Sequence, residues 1–221
     1  MTGVESTVAG GAGARLRGSV RVKICGVCSV DDALAAVAAG ADMIGLNFFR
    51  AGKRFVDRER AAEIAAAVPP AVWRVGVFVN ASRDEIESTR RAVGLTAIQL
   101  HGDEPPELVR GWPVPVIRAA RLTCARDAEA ALDAVAPDYF LAEGVVPGAY
   151  GGARALFDWA WASPLPAERL FLAGGLTPDN VADAVRRLRP FAVDVASGVE
   201  RAPRVKEPAL MAAFVEHAKA A

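Results

Sequence analysis

The sequence predicts an α/β fold, a single-domain (β/α)8 TIM barrel over residues 20–221. Three observations carry that expectation. Eight short apolar runs each give way to a helical pattern, one unit roughly every 25 residues, and the total suits one such barrel. A flavodoxin-like sheet would use about five units and a dinucleotide-binding sheet about six. The runs are apolar on both faces, as in Ala41-Asp-Met-Ile-Gly-Leu-Asn-Phe-Phe49, which suits parallel strands covered by helices. No G-x-G-x-x-G follows the first run.

In chain order, Val20–Gly26 is the first strand and Asp31–Ala39 the first helix, stopped by Gly40. Ala41–Phe49 is the second strand, and Asp57 is placed to cap a helix over Arg58–Val68 that Pro69-Pro70 breaks. Trp73–Val79 is the third strand, with a helix to about Ala92. Leu95–Leu100 is the fourth, with an exit at His101–Glu104 and a helix through Arg110. Val114–Ala119 is the fifth, backed by a helix over Arg126–Val135. Tyr139–Ala142 is the sixth, with Glu143 at its end, a glycine-bearing loop Gly144–Ala155 and a helix starting at Phe157. Leu170–Ala173 is the seventh, with Gly174-Gly175 as exit and Thr177-Pro178 opening a helix with threonine as its cap. Phe191–Val195 is the eighth, Ala196–Glu200 its exit, and Glu207–Ala220 the closing helix.

Hydrophobic residues make up 52% of the chain and charged residues 24%, enough apolar material for a sizeable core. Lys+Arg and Asp+Glu both number 26, so net charge points to neither nucleic acid nor an acidic membrane, and an anionic ligand must be held by local groups. Residues 1–19 are rich in Gly, Ala, Ser and Thr, lack an apolar signal core, and read as a disordered N-terminal extension. No 18-residue apolar run suggests a membrane span. Three cysteines without a signal imply free thiols in the cytoplasm.

Lys23 and Cys25 lie two apart on the first strand and so share a side, and Lys23 is a candidate to bind substrate. Cys25 falls at the strand's carboxyl end, where barrels keep their chemistry. Its alternatives are a reactive group or an inert buried thiol; Cys25-Gly-Val-Cys28 without a second ligand pair argues against zinc. Glu143 ends the sixth strand, and a thiolate with a carboxylic acid across a small pocket forms a base and acid pair. Gly174, Gly175, Ser197 and Gly198 sit at the seventh and eighth exits, where barrels commonly bind phosphate; ordinary glycine turns are the alternative. Asp194 is either a structural carboxylate or one that orients a ligand. Arg54 is a surface charge or holds a carboxylate or phosphate, and His101 caps its loop or touches substrate.

Six motifs stand in order along the chain: Lys23-Ile-Cys-Gly26, Arg74-Val-Gly-Val-Phe-Val-Asn80, Gln99-Leu-His-Gly-Asp-Glu104, Tyr150-Gly-Gly152 with Phe157-Asp-Trp159, Gly174-Gly-Leu-Thr-Pro-Asp-Asn180, and Arg189-Pro-Phe-Ala-Val-Asp-Val-Ala-Ser-Gly-Val-Glu200. With them, the chain from about Arg21 onward resembles the phosphoribosylanthranilate isomerases of the tryptophan pathway. The resemblance implies an Amadori rearrangement that opens the ribose of N-(5'-phosphoribosyl)anthranilate, with no metal or cofactor. It implies Cys25 as base, Arg54 on the anthranilate carboxylate, and the seventh and eighth loops on the phosphate of a small phosphorylated substrate, in a monomer or homodimer. Four places depart from the family, one of them Gly52-Lys53-Arg54, which stands where the family has Ser-Pro/Lys-Arg. Leu141-Ala-Glu143 carries glutamate where the family has aspartate as the acid, Gly151-Gly-Ala-Arg-Ala155 alters the covering loop, and Pro203-Arg-Val-Lys-Glu207 replaces Pro-Gly-x-Lys-Asp. The expected function is this isomerisation. The alternative is a diverged relative on the same barrel that acts on or binds another anthranilate-like or phosphorylated compound.

Overall fold

The structure, a computed structural model, describes residues 20–134, 136–145 and 157–221. Parallel strands β1 (Arg21–Cys25), β2 (Met43–Asn47), β3 (Trp73–Phe78), β4 (Ala97–Leu100), β5 (Val116–Leu122), β6 (Tyr139–Gly144), β7 (Leu170–Leu172) and β8 (Ala192–Val195) pair in chain order, and β8 closes on β1. This is the expected (β/α)8 barrel. The extension over residues 1–19 and most of the loop after β6 lie outside the described residues.

The helices α1 (Val30–Ala38), α2 (Arg58–Ala67), α3 (Arg83–Val93), α4 (Ala125–Ala134), α5 (Val181–Leu188) and α6 (Pro208–Lys219) surround it. Three begin on side-chain caps: Ser29, Asp57 and Ser82 accept from the backbone N–H of Asp32, Arg60 and Glu85. Each such cap contributes about 1 kcal/mol. No described helix is long and apolar enough to cross a membrane.

Several local expectations give way. After β4 the chain makes only a 3-10 turn, Pro106–Val109, because Pro105-Pro106 fixes its start and Gly111 takes a positive φ just beyond it. After β6 there is again a 3-10 turn, Trp159–Ala162, rather than a full helix. Thr177 does not cap α5. Asn180 occupies the cap position, and its side-chain oxygen accepts from Thr177 N–H, closing a turn ahead of the helix. β5 runs three residues beyond its expected end, and a small antiparallel hairpin, β9 (Glu200–Ala202) and β10 (Val205–Lys206), follows β8.

Inside the barrel, every second strand residue points inward. Met43, Val75, Ala97, Ile117, Leu141, Phe171 and Ala192 form a separate buried cluster there. The amino-terminal end is plugged by aromatic rings: Tyr139 stacks on Phe191 at 4.6 Å and meets Phe171 edge-on at 5.4 Å. The outer, larger cluster joins the other strand faces to the helices. Phe171 is fully buried in the inner layer. Phe171→Ala should therefore destabilise the fold by about 3–5 kcal/mol in urea unfolding, and a loss under 1 kcal/mol would contradict this packing.

Candidate active site

The plugged end leaves one end of the barrel open, at the carboxyl ends of the strands. A cavity of 490 Å³ lies there, lined by residues that include Cys25, Arg54, Gln99, His101, Glu143 and Asp194. Strand alternation explains why they meet: Cys25, Gln99 and Glu143 each belong to the inward-facing set of their strands.

Cys25 stands two residues beyond Lys23, as its spacing requires. Lys23 is fully buried and donates from Nζ to Asp194 Oδ1 at 2.9 Å, joining β1 to its neighbour β8. Burial works against the Lys23 ammonium, but Asp194 and Cys25 outweigh it and hold its pKa above the ordinary lysine value. Burial pushes the Cys25 thiol up, and the nearby Lys23 ammonium only partly pulls it back. Gly45 lies beside Cys25 in the β1–β2 register, and a Cβ there would sit 2.8 Å from the Cys25 sulfur. Lys23 was expected to bind substrate. Its ammonium instead lies beneath the cavity floor, where it supports Cys25 and Asp194, and it is not among the lining residues.

Arg54 arrives from the loop after β2. Glu200 holds one edge of its guanidinium with both oxygens, accepting from Nε at 2.7 Å and Nη2 at 2.6 Å. Nη1 has no hydrogen-bond partner among the described residues. Burial alone would raise the Glu200 carboxyl, yet Arg54 and Lys206 keep it below its ordinary value. Gly26, at φ 69°, lets the Arg54 stem pass: a Cβ there would lie 2.2 Å from Arg54 Cδ. Lys206, on β10, is buried and donates to the carbonyls of Cys25 and Ala196 and to Glu200 Oε1.

At the other side of the mouth, His101 does not cap its loop. Glu104 does that, its carboxylate accepting from Asn80 N–H and Gly102 N–H. His101 Nε2 instead meets Glu143 Oε1 at 2.8 Å, and its Nδ1 meets Gln99 Nε2 at 2.7 Å. Glu143 is the fifth residue of β6, inside the strand rather than past it. Its second oxygen has no hydrogen-bond partner among the described residues.

The seventh and eighth exits form one surface. Gly174 and Gly175 both take positive φ, and Asn180 Nδ2 donates to Gly175 O, pinning the turn. A Cβ on Gly198 would stand 1.9 Å from Leu176 O, so only glycine lets the two loops touch. Gly174, Gly175, Ser197 and Gly198 all line the cavity. Backbone held this close to a cavity suits a phosphate.

Gln99, Glu200 and Lys206 were not singled out from the sequence. Alternation from His101 could have found Gln99. No local pattern signals that Lys206 folds back onto Cys25, because a hairpin delivers it.

The buried Lys23–Asp194 pair gives a direct test. Lys23→Met should destabilise by about 3–5 kcal/mol, because it leaves Asp194 buried and unpaired. Adding Asp194→Leu should recover most of that loss in urea unfolding. If the double variant is no better than the single one, the pair does not carry the coupling.

Known proteins match this arrangement. The family model for N-(5'-phosphoribosyl)anthranilate isomerase matches residues 22–217. A relative of that description from Myxococcus xanthus is 49% identical over 206 residues, which cover 91% of this chain and 97% of the relative. The crystal structure of the phosphoribosyl anthranilate isomerase from Thermotoga maritima superposes with a TM-score of 0.83 at 41% identity, covering 91% of this chain and 100% of that one. A phosphoribosyl anthranilate isomerase in complex with reduced 1-(o-carboxyphenylamino)-1-deoxyribulose 5-phosphate gives a TM-score of 0.80 at 40% identity, with the same coverage. A barrel with these motifs, matched along nearly its whole described length, belongs to the N-(5'-phosphoribosyl)anthranilate isomerase family of tryptophan biosynthesis.

Proposed function

We propose that this chain isomerises N-(5'-phosphoribosyl)anthranilate with Cys25 as the general base and Glu143 as the general acid. The observation that carries the assignment is that both side chains enter one cavity, from β1 and β6, beside Arg54 and the glycine loops. The phosphate lies against Gly174, Gly175, Ser197 and Gly198, and Arg54 Nη1 takes the anthranilate carboxylate. Lys23 acts through Cys25 and Asp194 rather than on the substrate, and Asp194, which lines the cavity, faces the substrate. The free thiols of Cys25, Cys28 and Cys124 support work in the reducing cytoplasm.

The reaction begins at the furanose ring. The protonated Glu143 carboxyl gives its proton to the ring oxygen as the C1'–O bond breaks. The bonding electrons go to that oxygen, and the anthranilate nitrogen lone pair forms the C1'=N bond. The Cys25 thiolate then removes the C2' proton, and those electrons neutralise the iminium as an enolamine. Proton shift from the C2' hydroxyl to C1' gives the 1-deoxyribulose. Glutamate is one methylene longer than aspartate, and a displacement of about 1 Å can cost on the order of a hundredfold. Here the in-strand position and the His101 contact fix where that longer side chain ends.

The base and acid together hold one proton in the working state, on Glu143 and not on Cys25. In general, a thiol and a carboxyl together keep one proton across neutral pH. The share of the working form is then constant until the thiol ionises. Because burial raises the Cys25 pKa, kcat/KM should stay level through neutrality and fall only above the ordinary thiol range. A rise through that range would overturn this proton count.

The direct test is a coupled assay that generates the substrate in place and follows loss of its fluorescence. Cys25→Ala and Glu143→Gln should each lower kcat by at least about a hundredfold, with Glu143→Asp retaining turnover. Turnover surviving Glu143→Gln would remove the acid assignment. A parent that binds a product analogue but does not turn over would favour a diverged relative with another substrate.

A further inference from the structure

We propose that Gln99 is a positioning residue: it fixes the tautomer of His101 and thereby decides which oxygen of Glu143 faces the substrate as proton donor. The three side chains form a buried line, with Gln99 Nε2 at 2.7 Å from His101 Nδ1 and His101 Nε2 at 2.8 Å from Glu143 Oε1. An amide nitrogen only donates, so Nδ1 must be the bare, accepting nitrogen of a neutral ring. The ring hydrogen then sits on Nε2 and is donated to Glu143 Oε1. That oxygen is engaged as an acceptor, so a proton on the carboxyl belongs on Oε2, which has no partner among the described residues. The proton passed to the ring oxygen leaves from Oε2, its O–H electrons staying there, while the His101 hydrogen stays on Nε2.

The reverse arrangement would undo this. If the amide turned over, Gln99 Oε1 would accept from Nδ1–H and leave Nε2 bare. Oε1 of Glu143 would then need the proton to pair with it, and Oε2 would face the substrate with none. The present orientation leaves Gln99 Oε1 as a buried atom without a partner, on a residue that lines the cavity. A substrate hydroxyl donating to that oxygen would lock the amide in the productive orientation and satisfy the unpaired acceptor. The same logic governs other acid–base sites, where the wrong tautomer of a well-placed imidazole costs orders of magnitude.

The inference rests on Glu143 being the acid, but its first test does not. Nitrogen-15 NMR of the histidine rings reports the tautomer without any turnover. The chain has 2 histidines. His217 faces the Pro178 carbonyl through Nδ1 at 2.7 Å, so it supplies an internal reference for the Nδ1–H form. His101 should show the Nε2–H form in the parent and a mixture in Gln99→Met. A parent in the Nδ1–H or doubly protonated form near neutral pH overturns the proposal, even if no Gln99 variant folds. An unchanged ring signal in a folded Gln99→Met does so too.

The link to catalysis is read by a double-mutant cycle. Gln99→Met should lower kcat at least about tenfold, in addition to any rise in KM from the lost Oε1 contact. His101→Gln supplies an amide donor to Glu143 that has no tautomer to choose, so Gln99→Met should cost little more in that background. Equal losses in both backgrounds would show that Gln99 acts by another route. A lost tautomer with unchanged kcat would overturn the link while leaving the NMR result standing. Failure of Glu143 as the acid is seen separately, as turnover retained in Glu143→Gln.

Discussion

The Lys206 ammonium joins the parts of the site that must stay in register. It donates to the carbonyl of Cys25, to that of Ala196 and to Glu200. The first belongs to the proposed base, the second to the turn beside the loops proposed for the phosphate, and the third to the group that grips Arg54. Burial lowers the Lys206 pKa, with Glu200 and Cys25 acting against that shift. A charge desolvated this far is tolerable only when its hydrogens are all placed. The hairpin that carries it stands outside the eight-stranded barrel, and through Lys206 it ties together three parts of the proposed site.

The same economy appears on the acid side. Glu143 departs from the aspartate expected by family resemblance, yet it is not a loose carboxylate at a strand end. It lies in β6, in register with Arg121 of β5, and is held at one oxygen by His101. His101 is held in turn by Gln99, two residues earlier on the same strand. A side chain anchored by its strand at one end and by a ring at the other has few rotamers left. Extra length then changes where the acid stands more than how firmly it is held.

Much of this was legible in the sequence because a barrel strand has a period of two. Lys23 and Cys25 were expected on one side of β1, and the same rule accounts for Glu143 and for Asp194 meeting them inside the ring. The glycine exits were legible because close backbone approach leaves few alternatives to glycine, as Gly198 against Leu176 demonstrates. What periodicity could not supply was the pairing of residues far apart in the chain. Arg54 with Glu200 spans 146 positions, and neither residue's neighbours hint at the other. Helix length was also overread at Pro106–Val109 and Trp159–Ala162, where a single 3-10 turn covers the sheet. An apolar run long enough to cover a strand does not fix how many turns it makes.

The remaining question is how a raised thiol can serve as a base. Moving one proton from Cys25 to Glu143 leaves the net charge of the cavity unchanged, so its cost is the difference between two environments. On the thiol's side stand Lys23 and Lys206, both of which favour the thiolate, while Asp194 opposes it. Lys23 acts on the thiol more strongly than Asp194 does, and Lys206 adds to its pull. Arg54, Glu200 and Lys206 together keep one positive charge. That residual charge lies close to the Cys25 carbonyl and adds to the pull of Lys23 against burial. Excluding solvent on substrate binding strengthens such a fixed charge, since its attraction grows as the surrounding dielectric falls. In the proposed reaction, the groups assigned to the substrate's anions therefore also ease removal of its C2' proton.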